Sequence, residues 1–190
     1  MTDLDATRQE LIALLREHSL ILGEVTLSSG AKASYYVDAR RTVMRPAGQR
    51  ATGILIAAHA RELGAVAVGG PVMAAIPLAC AAIAVPEGED LVGFFVRKER
   101  KAHGLQRWVE GGAEPGDRVL VVEDTVTTGG STVSAIERIR DEGFEIAGVL
   151  GVVDRLAGGG EAIAAAAGAP YRALTTIDDI YPDRPDRDRQ

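Results

Sequence analysis

The densest chemistry in the chain lies between Val121 and Thr132, VVEDTVTTGGST. Two adjacent carboxylates, Glu123 and Asp124, close the apolar run VLVV at 119–122. Thr125, Val126, Thr127, Thr128, Gly129, Gly130 and Ser131 come next, and a helical rhythm starts at Gly130. A Thr/Gly-rich loop between a strand and a helix suits an anion. Its glycines let the backbone come close, hydroxyls and N–H groups converge, and the helix start adds partial positive charge. The two acids would repel a phosphate, so they must face another group. Ribose hydroxyls fit, because an ionised carboxylate accepts their hydrogen bonds strongly. A Walker loop is excluded because no lysine follows Gly130, and a dinucleotide fingerprint because the GxGxxG spacing is missing. The plainer alternative is a turn whose helix is capped by Ser131 or Thr132. An acidic pair directly after an apolar strand argues against it.

A second cluster is basic. VRKERKAHG, Val96 to Gly104, gathers Arg97, Lys98, Lys101 and His103 in a chain whose formal net charge is −6. The glycines at 104, 111 and 112 predict a mobile loop. Near the start, LSSGAKASYYVDAR places Tyr36 and Val37 after a Ser-Gly turn. Late in the chain, VVDRLAGG places Arg155 just after an apolar run. A guanidinium there could hold a carboxylate bidentately.

These residues need a frame. Leu11, Ile12, Leu14 and Leu15 predict a helix over Asp5 to His18. Thr26 to Asp38 reads as two short strands around the Ser-Ser-Gly turn. Pro46 suits the first turn of a helix running to about Leu63, with Gly64 as its stop. Short apolar strands at 65–68, 91–96, 119–122, 146–153 and 171–174 then alternate with helices at 74–84, 130–142 and 161–167. Residues 97–117 read as one long loop. Strands apolar on both faces, alternating with helices, predict an α/β fold with an open parallel sheet covered on both sides. Ligands of such sheets bind beyond the carboxyl ends of the strands, where the acidic motif lies. One domain over residues 1–182 is expected, and the charged, proline-bearing end, 183–190, reads as a disordered tail.

Composition bounds the alternatives. The chain has 190 residues, 46% hydrophobic and 25% charged, which is globular. Cys80 is the sole cysteine, so no intrachain disulfide forms, and it reads as a small core residue. The acidic balance argues against general nucleic-acid binding. No apolar run reaches the roughly 18 residues of a membrane span, and MTDLDATRQE lacks a signal-peptide pattern. A cytoplasmic protein is expected.

The acidic motif resembles the phosphoribosyl-diphosphate motif of type I phosphoribosyltransferases. RKERKAHG resembles the catalytic loop pattern RKxxKxHG of the orotate enzymes within that family, and the Ser-Gly-aromatic segment resembles their N-terminal signature. GGPVMAAIP, Gly69 to Pro77, resembles the diphosphate loop, with Met73-Ala74 where many members carry Tyr-Lys. Ser28 stands where members often carry lysine. The resemblance implies the type I fold with a small N-terminal hood, and transfer of ribose 5-phosphate from 5-phosphoribosyl 1-diphosphate (PRPP) to orotate N1. It assigns PRPP to Arg97, Lys98, Lys101, His103 and residues 123–131. It assigns orotate to Tyr36, Val37, Thr127 and Arg155, the last pairing with the orotate carboxylate. Lys101, supported by His103, would stabilise the departing diphosphate. Magnesium (Mg2+) would be held mainly by substrate and water, with no dedicated protein ligands. A homodimer sharing the basic loop between subunits is also implied. The rival expectations are a salvage enzyme for a purine or uracil and a non-catalytic sensor of PRPP.

Overall fold

The computed structural model describes residues 2–26, 32–99 and 107–187. Lys101, His103, Ser28 and the last three residues of the expected tail lie outside them. Six strands make one sheet in the order β5-β4-β3-β6-β7-β8. Five are mutually parallel: β3 (Ala67–Pro71), β4 (Val92–Val96), β6 (Arg118–Val126), β7 (Glu145–Asp154) and β8 (Tyr171–Thr176). The edge strand β5 (Val109–Gly111) runs antiparallel to β4. It lies inside the segment read as one long loop. Three residues are too few to show alternation, and pairing to β4 sets their conformation.

The central strands β3, β6 and β7 bury both faces, and this produces two cores. Leu120 and Val122 pack with α1 (Leu4–His18), α3 (Pro46–Leu63) and α4 (Ala75–Ile83). Val119 and Val121 pack with α5 (Gly130–Asp141) and α6 (Gly159–Ala167). The period of two along β6 thus decides which layer each residue meets.

The helix ends follow their sequence signals. Asp3 caps α1 by accepting from Ala6 N–H at 3.0 Å. Pro46 opens α3, and Gly64 closes it at φ 65°, a left-handed conformation that glycine adopts without strain. Among the described residues no helix is long and apolar enough to cross a membrane.

Beyond the sheet edge sits a small hood. β1 (Leu20–Thr26) pairs antiparallel with β2 (Lys32–Val37), and the short helix α2 (Arg40–Val43) follows. The first hood strand was expected to begin at Thr26, yet it begins at Leu20. Its sequence, LILGEVT, lacks clean alternation because the pairing shifts register between Leu22 and Val25. At the other end, residues 183–187, within the expected tail, make packed contacts. Arg184 is 4% exposed and pairs with Asp178, in the short helix α7 (Ile177–Ile180), and with Asp186 at 3.2 Å. A buried arginine with two carboxylate partners holds these residues against the fold.

Candidate active site

The alternation of β6 continues through the acidic pair and separates its members. Glu123 turns toward α5. Its Oε2 accepts from Thr132 Oγ1 at 2.9 Å and Ser131 Oγ at 3.2 Å, and the residue is 6% exposed. Burial first, and the Asp124 charge second, push its pKa up to about 7. Asp124 turns the other way, toward the hood, where its Oδ2 lies 3.8 Å from Arg40 Nε. Its Oδ1 accepts the Thr125 N–H at 2.7 Å. Burial also raises the Asp124 pKa, and Arg40 opposes that shift. Arg40 in turn donates from Nε to Asp38 at 2.8 Å.

The capping alternative does not hold. Gly129 caps α5 at φ 78° with no side-chain bond to the helix. The hydroxyls of Ser131 and Thr132 serve the buried carboxylate instead. Two hydroxyl donors reduce the cost of holding that group away from water. Asp124 is therefore the more accessible of the two acids for a ligand hydroxyl, while one oxygen of Glu123 is already occupied.

Thr127 and Thr128 before α5, and Gly130 and Ser131 in its first turn, are exposed. Val126 is 1% exposed and belongs to the core, so it offers a ligand only backbone. The loop is pressed against the turn that follows β7. Gly159 N–H donates to Thr127 O at 3.1 Å, and a Cβ at Gly159 would sit 2.4 Å from that oxygen. Arg155 N–H donates to Val126 O at 2.8 Å. The two sheet-edge turns thus form one surface, and Arg155 stands beside the acidic loop.

Arg155 is also held from the hood. Its Nη2 donates to Tyr35 Oη at 3.0 Å, and its Cζ lies 4.9 Å from the Tyr35 ring centre. Tyr35 and Val37 share the buried face of β2, at 3% and 2% exposed. Tyr36 projects from the other face, half-buried and within electrostatic reach of Arg40. The expected pair Tyr36 and Val37 is thus split: the Val37 side chain is core, and only its backbone can meet a ligand. Sequence reasoning assigned no role to Tyr35 or Arg40. Both lie in the segment that drew attention, but nothing in their spacing identifies their partners 120 and 84 residues away.

The basic segment is described only at its root. Arg97 N–H donates to Trp108 O at 2.9 Å, and its guanidinium pairs with Glu110 at 2.9 Å. From α5, Arg138 donates to Arg97 O at 2.8 Å and lies 4.3 Å over the Trp108 ring. Glu142 accepts from the backbone N–H of Trp108 and, at 3.3 Å, of Val109. The root is therefore clamped by the helix that starts at the acidic motif. Lys98 is exposed.

Gly69 and Gly70, expected in the diphosphate loop, lie inside β3. A Cβ on Gly70 would stand 2.2 Å from Val122 O, and one on Gly69 would stand 2.1 Å from Phe94 O. Their absent side chains serve strand packing. The turn itself is Val72 to Ala74, with Met73 76% exposed. It leaves the carboxyl end of the strand beside β6. Among the described residues no group of three or more His, Cys, Asp or Glu side chains is placed to hold a metal ion.

No family model matches the chain. A relative from Corynebacterium glutamicum, named orotate phosphoribosyltransferase, is 46% identical over 173 residues, covering 91% of this chain and 93% of its own. The crystal structure of Mycobacterium tuberculosis H37Rv orotate phosphoribosyltransferase with Fe(III) dicitrate matches with TM-score 0.83. It is 43% identical and covers 92% of this chain and 98% of its own. The same enzyme in complex with PRPP matches with TM-score 0.79 at 38% identity, again over 92% and 98%.

Proposed function

The chain belongs to the orotate phosphoribosyltransferase family, and from that premise we propose that it transfers ribose 5-phosphate from PRPP to orotate. The products are orotidine 5'-monophosphate and diphosphate, a step of de novo pyrimidine synthesis. One observation carries the reading. The acidic loop after β6 and the arginine after β7 form a single hydrogen-bonded surface at the carboxyl edge of the sheet. A ribose phosphate and an anionic base need those two features side by side.

Asp124 accepts the ribose hydroxyls, and Glu123 fixes the start of α5 from beneath through Ser131 and Thr132. Exposed Thr127, Thr128 and Gly130, with the backbone of Val126, Gly129 and Ser131, receive the 5-phosphate. Tyr36 and the Val37 backbone border the base, and Arg155 pairs with its carboxylate. A guanidinium selects orotate over uracil because only orotate carries that charge.

Bond breaking between ribose C1 and the diphosphate oxygen places positive charge on the sugar and negative charge on the leaving group. Stabilising that separation is the main catalytic demand. We assign the leaving group to Lys101, with Arg97, Lys98 and His103 supporting it. At the root, Arg97 already pairs with Glu110, so Lys98 is the more available of the two described cations. The half-buried Asp124 would face a magnesium ion that keeps its waters and relies on substrate oxygens, and such an ion would supply neutralisation of diphosphate charge. We read the active unit as a homodimer in which each basic segment serves its neighbour's site.

The test is diphosphate release with magnesium and PRPP, comparing orotate, uracil and purines. Release with orotate alone is expected. Release with a purine or uracil but none with orotate overturns the reading. Lys101→Ala should lower kcat roughly 100-fold or more, as loss of one transition-state donor does, with little change in substrate binding.

A further inference from the structure

Arg155 is held by more than its own turn. Tyr35 Oη, which accepts from Arg155 Nη2 at 3.0 Å, donates in the other direction to Asp186, whose two oxygens lie 3.1 and 3.0 Å away. The Tyr35 ring is fixed edge-on by Tyr181, with centres 5.3 Å apart and planes at 82°. Asp186 is fixed by Arg184 at 3.2 Å, and Arg184 is anchored by Asp178. A guanidinium, a phenol and a carboxylate thus form a directed chain across three segments that meet only in the fold.

We propose that the C-terminal segment Asp183–Arg187 is a positioning element of the base site, in which Asp186, acting through Tyr35, sets the orientation of Arg155. This rests on the reading above that Arg155 holds the orotate carboxylate. A phenol that accepts from a cation and donates to an anion is polarised by both, so each bond strengthens the other. Bidentate recognition needs the guanidinium plane fixed, and a ring 4.9 Å away with an oxygen on one nitrogen fixes it. Arg184 balances the Asp186 charge, so the carboxylate can orient Arg155 without repelling an anionic base. Asp186 and Tyr35 touch no reacting atom in this scheme. They are positioning residues.

The test is steady-state kinetics of the full chain with both substrates varied, for Asp186→Asn, Asp186→Glu, Tyr35→Phe and, as reference, Arg155→Ala. Asp186→Asn should raise the KM for orotate about fivefold, the equivalent of about 1 kcal/mol at 1.4 kcal/mol per tenfold. KM for PRPP and kcat should stay within about twofold, the scatter of independent sites. Asp186→Glu should recover much of the orotate KM, and Tyr35→Phe should match or exceed the effect of Asp186→Asn. Asp186 is on the surface, so its variants report even if Tyr35→Phe fails to fold. The proposal is overturned if Asp186→Asn leaves the orotate KM unchanged, or raises both KM values equally, while Arg155→Ala raises the orotate KM alone. If Arg155→Ala itself leaves the orotate KM unchanged, the base-site reading has failed and the positioning role falls with it.

Discussion

The two turns at the carboxyl edge of the sheet, after β6 and after β7, are built in opposite ways. The turn after β6 is held by its own neighbours: Glu123 is bonded by Ser131 and Thr132, eight and nine residues away, and Gly129 supplies the left-handed cap. The turn after β7 places Arg155, whose guanidinium is held by Tyr35 at a separation of 120 residues, with Asp186 beyond it. The first turn draws its side-chain bonds from a dozen consecutive residues, and the turn after β7 adds only backbone bonds to Val126 and Thr127. The second exists only once the hood and the C-terminal segment have docked. A site for a substrate shared across a superfamily can be local. A site that distinguishes one base can draw its parts from the periphery, where change disturbs the core least.

Variants can break this contrast, starting with the largest effect. Asp124→Ala should reduce kcat/KM for PRPP roughly 100-fold, since hydrogen bonds to a charged group contribute about 1.5–3 kcal/mol each and more than one is lost. The loss should be the same whichever base is offered. A reduction confined to orotate would erase the distinction between the turns. Arg155→Ala should raise the orotate KM roughly 10- to 100-fold, by the same scale, while direct calorimetric titration with PRPP remains near wild type. Weaker PRPP binding would show that the two turns act as one unit.

The next effect concerns pH. Glu123 has an ordinary value of 4.5 that burial raises to about 7, so the folded chain holds a proton that the unfolded chain releases. Its contribution to stability is full below about pH 4.5 and is lost as pH rises through 7. Glu123→Gln should therefore flatten the fall in Tm between pH 5 and pH 8, measured by scanning calorimetry. An unchanged slope would place the titration elsewhere. Smallest of all, Thr132→Val should cost about 1–2 kcal/mol in denaturant unfolding, because a buried acceptor loses one donor. That cost should grow above neutral pH, where the carboxylate is charged.

Legibility in the sequence follows the same contrast. The parallel strands were readable because VLVV and its counterparts are apolar on both faces. The α3 boundaries were readable from Pro46 and Gly64. The acidic loop stood out as a candidate site because its chemistry is contiguous. What could not be read was set by distant partners. β5 exists because β4 pairs with it, and Arg184 is buried because it finds Asp178 and Asp186. Period-two alternation was available for Tyr35, Tyr36 and Val37, and it would have assigned Val37 to the core. It could not have named Arg155 as the neighbour of Tyr35.

The stacking of Arg138 on Trp108 has an optical consequence. The chain has a single tryptophan, so emission excited at the red edge of protein absorption arises from that one indole. A guanidinium 4.3 Å above it is a local field that shifts its spectrum. The protein therefore carries an unlabelled optical reporter where α5 grips the root of the basic segment.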